Sequence, residues 1–268
     1  MDWLFSLLPF TLDSAVSHAA AALLCGFIIG WLICFTGVGG GVLVIPTLTF
    51  FFSLPVSIAI GTASAYTTIT KLMAGAEHIR IKNINYRLFV KLTCAALPGL
   101  FLSASVINYV LHQFPESNAL VQQVLRWLVI AAILLSLVLI VGGKKSTAAD
   151  ENTLLLLISG FAIGLVMGAT GIGGGVLIAP ALLLLGKETP KRVVGTSILI
   201  ALALSGLTAV LYSAGGQLDF SIALWMSAGS LLAIPIASRV LRRVSETVVQ
   251  KSLLVIIAAA VLLMLASN

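Results

Sequence analysis

Charge is what this sequence has least of. Only 9% of its 268 residues are Asp, Glu, Lys or Arg, against roughly 25% in a soluble globular domain. So few charges cannot coat a folded surface in water. With 60% hydrophobic residues and a mean hydropathy of +1.15, most of that surface must face a lipid bilayer. The polar, Cys-rich or strongly basic compositions of disordered chains, disulfide scaffolds and nucleic-acid modules are also missing, so nucleic acid is not expected as a partner. The three cysteines, Cys25, Cys34 and Cys94, lie in apolar runs, and an odd number cannot close a full disulfide framework. His18, His78 and His112 are scattered, with no HExxH or Cys/His cluster, so neither a metal nor another cofactor is expected. All nine carboxylates fall in loops or at the ends of apolar segments. Cation channels, sodium sites and most proton relays use a buried carboxylate, which argues against a cation substrate.

What is present begins with a repeat. At an offset of 134, GFIIGWLICFTGVGGGVLVIPTL from Gly26 matches GFAIGLVMGATGIGGGVLIAPAL from Gly160 without a gap, with 13 of 23 positions identical. The same offset pairs Gly61-Thr62 with Gly195-Thr196 and Asn85 with Asp219. The chain is therefore an internal duplication, a common construction for transporters. Residues 1–142 form the N-terminal repeat, 143–152 a linker and 153–268 the C-terminal repeat. The opening MDWLFSLLPF has no Lys or Arg; it is expected to be an interfacial segment anchored by Trp3.

Each half divides into five apolar pieces: 15–36, 42–53, 56–76, 88–110 and 119–142, then 153–169, 176–185, 192–213, 220–238 and 247–267. The last three of each set can supply the ~20 residues of a membrane-spanning helix. The second piece of each half cannot, and reads as a half-helix, a re-entrant piece or a steeply distorted span. Positive charge is distributed oppositely in the two copies. Lys187, Lys191 and Arg192 have no basic mates, and neither do Arg80, Lys82 and Arg87, Arg239, Arg242 and Arg243, or Lys144 and Lys145. The positive-inside rule then predicts an all-α integral membrane protein of two inverted-topology repeats. An odd number of crossings per half puts both termini outside and the linker in the cytoplasm, with ten crossings or six plus two re-entrant hairpins equally acceptable. The net charge of +6 reflects cytoplasmic loops.

The chemistry is expected at the glycine-rich turns, Thr36-Gly37-Val38-Gly39-Gly40-Gly41 and Thr170-Gly171-Ile172-Gly173-Gly174-Gly175. Four glycines in six residues break a helix. A break within a membrane is tolerated only where it is packed in protein or lines a wet cavity. The freed amides and the dipole of the helix that follows favour an anion, which glycine lets approach the backbone. Close helix packing is the alternative reading, and is the one favoured for Gly26-xxx-Gly30 and Gly160-xxx-Gly164. Thr62, Ser64, Thr196 and Ser197 offer hydroxyls to an oxyanion, or to neighbouring helices. Lys71 lies inside a span, where it either meets an anion or snorkels to the cytoplasmic face. Arg126 is expected to snorkel. His78 beside Arg80 could join an anion entrance, and His112 is expected in an interfacial loop.

The duplicated pattern GFxIGxxxxxTGxGGGVLxxPxL, together with GTASAYTTITKLMAGAEHIRIKNINYRL, resembles the TauE/SafE family of membrane permeases, the sulfite exporter family, over roughly Leu23 to Leu265. The matching positions are Gly37, Gly39, Gly40, Gly41, Gly171, Gly173, Gly174 and Gly175, with Pro46 and Pro180. Lys71 matches no family motif. The resemblance implies a multi-pass transporter of the bacterial inner membrane, with some members exporting sulfite or small organosulfur anions. The expectation is a secondary transporter, not an enzyme, that moves a small anion by alternating access. The alternatives are an anion channel and a membrane-embedded enzyme or assembly factor of sulfur metabolism. Homo-oligomerisation is left open.

Overall fold

A computed structural model describes residues 14–36, 41–80, 82–114, 116, 118–141, 153–172, 177–185, 190–241 and 261–265. The regular structure among them is entirely helical: α1 (Ser14–Thr36), α2 (Gly41–Phe51), α3 (Val56–Arg80), α4 (Tyr86–Gln113), α5 (Asn118–Val141), α6 (Thr153–Thr170), α7 (Ile178–Leu185), α8 (Pro190–Ala214) and α9 (Phe220–Leu241). Of the last expected segment, 247–267, only 261–265 is described, and it is helical. The protein is an all-α membrane protein.

Five helices, α4, α5, α6, α8 and α9, are long and apolar enough to cross a bilayer. Their lipid-side surfaces carry exposed Phe101 and Val106 on α4, Trp127 and Val138 on α5, Leu154 and Ile158 on α6, and Leu232 on α9. Short α2 and α7 have 11 and 8 residues, about 16 and 12 Å at ~1.5 Å per residue. α3 has 25 residues but is not apolar enough to count among those five. The reason is position. Ser57, Thr62, Ser64 and Thr67 on α3 are buried, so this helix faces protein on most sides and need not match lipid.

α3 runs one turn beyond the expected boundary at 76, because Glu77-His78-Ile79-Arg80 contains nothing that breaks a helix. It ends in a left-handed residue, Lys82, at φ 53°. The Asn83 N–H returns to the His78 carbonyl at 3.1 Å, and the Asn85 side chain then caps α4 by accepting the Leu88 N–H at 3.1 Å. α8 ends in the same way 134 residues later. Gly216 sits at φ 67°, the Gln217 N–H reaches the Tyr212 carbonyl at 2.7 Å, and Asp219 caps α9 through the Ile222 N–H at 3.0 Å. Both are helix stops of the Schellman type followed by an Asx N-cap.

Packing exchanges helices between the halves. α1 lies against α9 and α6 against α4. Gly26 and Gly30 sit on Met226 and Ser230, while Gly160 and Gly164 sit on Leu92 and Ala96. These four partners are also 134 residues apart. A side chain at Gly26 or Gly164 would run into the facing backbone, so the small-xxx-small spacing serves close approach. Between these two pairs, α3 packs on α8. Gly61 meets Gln217, Gly206 meets Thr68 and Gly195 meets Asn83, so these two corresponding helices run antiparallel.

Candidate functional site at the glycine turns

α6 is ended by its own sequence. The Gly171 N–H donates to the Met167 carbonyl at 2.7 Å. Gly171 then turns the chain at φ 64°, a left-handed conformation that costs an L-residue roughly 1 kcal/mol. Thr170 stitches the stop together, its Oγ1 donating to the Val166 carbonyl at 2.7 Å and accepting the Ile172 N–H at 3.2 Å.

This turn meets the start of α2. A β-carbon on Gly41 would lie 2.7 Å from the Gly171 carbonyl oxygen and 3.3 Å from the Ile172 Cα. On its other side the turn rests on α3, where a β-carbon on Gly171 would come 3.1 Å from Ser64 Oγ and 3.2 Å from the Ile60 carbonyl. Gly41, Ser64, Gly171 and Ile172 are all buried. A break from one half, the first residue of a short helix from the other, and a hydroxyl on α3 therefore meet in the interior. α2 begins there, so its first N–H groups lack partners within the helix. Pro46 removes one further N–H from α2, and Thr47 and Thr49 turn their hydroxyls back to the carbonyls of Leu43 and Ile45.

The remaining expected site residues separate into groups. Ser64 Oγ donates to the Ile60 carbonyl at 2.8 Å, which leaves its lone pairs, not its proton, toward the turn. Thr62 and Thr196 are buried and act between helices: Thr62 Oγ1 accepts the Asp219 N–H and Thr196 Oγ1 the Asn85 N–H, both at 2.9 Å. Ser197 Oγ donates to the Val194 carbonyl at 2.9 Å. Lys71 is half-buried as a residue, yet its Nζ has no exposed surface and no hydrogen-bond partner. Its nitrogen does not reach a surface by snorkelling. Thr36 ends α1, and Gly37, Gly39, Gly40, Gly173, Gly174 and Gly175 lie outside the described residues.

One polar group gave no signal in the sequence. Gln122 at the start of α5 accepts the Ser57 N–H at 3.0 Å and donates to Ser57 Oγ at 2.8 Å, and Ser57 Oγ donates to Gln217 Oε1 at 2.6 Å. Gln122 and Gln217 line a cavity of about 410 Å³ between the ends of α3, α4 and α5. Isolated Ser and Gln at segment ends read as ordinary loop polarity, so only the fold brings them together. His112, expected in a loop, instead belongs to the last turn of α4 and reaches the Gly215 carbonyl at 3.1 Å. Cys25 and Cys94 are free thiols. Among the described residues no group of three His, Cys, Asp or Glu side chains could hold a metal ion.

A lipid-facing apolar shell around a hydroxyl-rich interior with a packed helix break at Gly171 is the arrangement of a multi-pass membrane protein. The chain belongs to the sulfite exporter TauE/SafE family, whose model matches residues 22–264. A Bacillus subtilis protein named "Probable membrane transporter protein YjnA" is 30% identical over 243 residues, covering 87% of this chain and 94% of that one. A second from the same organism, "Probable membrane transporter protein YdhB", is 25% identical over 243 residues, covering 89% and 97%. A Methanocaldococcus jannaschii protein, also named as a membrane transporter, is 29% identical over 181 residues, covering 66% and 65%. No solved structure matches. The protein is accordingly a membrane transporter.

Proposed function

We propose that this protein is a secondary transporter of a small anion, a sulfur oxyanion or an organosulfur anion such as a sulfonate, in a bacterial inner membrane with both termini periplasmic. The two halves insert in opposite orientations, and the anion binds between their glycine turns, each half exposing it in turn to one side. The observation that carries the reading is the buried meeting of Gly41, at the start of α2, with the turn at Gly171. Unpaired amide groups at a helix start suit negative charge. Two further features support it. All nine carboxylates fall in loops or at the ends of apolar segments, and the family carries sulfite export in its name.

Purified protein in proteoliposomes tests this. Saturable uptake of sulfite, thiosulfate or sulfoacetate by the wild type, lost in Gly40→Leu and Gly174→Leu while both variants still insert, is the expected result. Wild-type rates in both variants would refute binding at the turns, and flux that never saturates would make the protein an anion channel.

A further inference from the structure

The most isolated charge in the described interior is the Lys71 ammonium. Its Nζ is fully buried without a hydrogen-bond partner, and one turn earlier the Thr67 hydroxyl, in a residue 4% exposed, is also without one. Ser64, Thr67 and Lys71 occupy one stripe of α3 at i, i+3 and i+7. The stripe starts at the glycine turn, where Ser64 touches Gly171, and reaches Lys71 about 10 Å higher. In a helix the Cα–Cβ bond tilts toward the N-terminus, which on α3 is the direction of the turn.

No described group on the surrounding helices compensates the charge. α3 packs against α8, α9, α2 and α5. α2 and residues 220–237 of α9 contain no titratable side chain. On α8, Tyr212 is committed to the Gly168 carbonyl at 2.9 Å, and Arg192 lies near that helix's start. Thr68, beside Lys71, is opposite Ser205, 3.0 Å between hydroxyls. Tyr212 and Arg192 are thus about two turns and about three and a half turns along α8 from that level. On α5 the one charged residue is Arg126, two turns after Asn118 at the Ser57 end of α3, and His78 lies two turns further toward the other end of α3. The 134-residue mate of Lys71 is Ser205, so the positive charge is present in one half only.

An ammonium buried without a counter-ion is costly. We propose that Lys71, assisted by the Thr67 hydroxyl, is the fixed counter-charge for one transported anion, and that the site takes anions that carry no ammonium group of their own. A zwitterion such as taurine would bring a second cation to a site with no carboxylate among the described side chains. This deepens the transport reading and rests on it.

Thermal stabilisation of the purified full chain by sulfite, thiosulfate, sulfoacetate or taurine separates the claims, because a ligand that binds the folded state raises its melting temperature. Sulfoacetate or an inorganic sulfur oxyanion should stabilise the wild type and taurine should not. Lys71→Met should melt at least as high as wild type without anion and bind about thirtyfold or more weakly, the lower end of the penalty for truncating a buried charge partner. Lys71→Arg should keep measurable binding. If Lys71→Met does not fold, Lys71→Gln and Thr67→Ala carry the same comparison. Equal stabilisation of wild type and neutral variants would overturn the role of Lys71 and leave the anion-transport reading standing. Stabilisation by taurine equal to that by sulfoacetate would overturn the selectivity. A wild type that responds to none of the probes and transports none would overturn both.

Discussion

Thr62 Oγ1 accepts the backbone N–H of Asp219, across 157 residues of sequence and at 2.9 Å. The mate of Thr62, Thr196, does the same for Asn85, the mate of Asp219, at the same distance. Each bond fastens the connection after one central helix to the start of the other central helix. Thr62→Val or Thr196→Val leaves an amide unpaired and is expected to cost about 1–2 kcal/mol. Because the environments correspond, the two variants should lower the detergent melting temperature by similar amounts. A loss from one variant and none from the other would show that the correspondence is only geometric.

Gly171→Ala meets two obstacles, a left-handed backbone and an Oγ of Ser64 3.1 Å from the new methyl. It is expected to lose about 1–2 kcal/mol of stability and most of its transport rate. Gly41→Leu, pressed against the Gly171 carbonyl, should abolish transport. Flux per inserted molecule is the quantity to compare, since expression alone would confuse folding with function.

Gly216→Ala is the contrast. Its φ is also positive, at 67°, but nothing lies within 4 Å of where a β-carbon would go. The strain remains and the collision does not. Stability should fall by about 1 kcal/mol with transport unchanged, which separates a helix stop from a substrate-lining turn.

Replacing Cys25, Cys34 and Cys94 together by Ala or Ser should leave transport near the wild-type rate. Cys25 is half-buried on α1 and Cys94 exposed on α4, and neither has a described hydrogen-bonded base. Loss of activity in a folded triple variant would favour thiol chemistry over carriage.

Much of this fold was legible before any coordinates. The offset of 134 was readable because the glycine turns are nearly invariant between copies. The shortness of α2 and α7 followed from counting apolar residues, and the offset already paired Asn85 with Asp219, whose capping of α4 and α9 only the fold shows. The partnership of α1 with α9 and of α6 with α4 was not readable. Leu and Ile against lipid look the same as Leu and Ile against another helix, so hydropathy carries no information about neighbours. The candidate site divides in the same way. The turns are visible as glycine, but Thr62 and Ser64 are two residues apart with the same chemistry, and only packing sends one to Asp219 and the other to Gly171. Lys71 looked like a residue that could reach water, because sequence gives its distance along the helix and not what surrounds its nitrogen.

The pairing of α1 with α9 also bears on how the molecule is made. α9 begins about 200 residues after α1, so at ~5–20 residues per second a ribosome needs roughly 10–40 s to deliver the partner of the first helix. During that interval the groove around Gly26 and Gly30 is empty of Met226 and Ser230. Lipid, the insertion machinery or another nascent helix must occupy it, and the bundle can close only after the second copy has been threaded almost to its end.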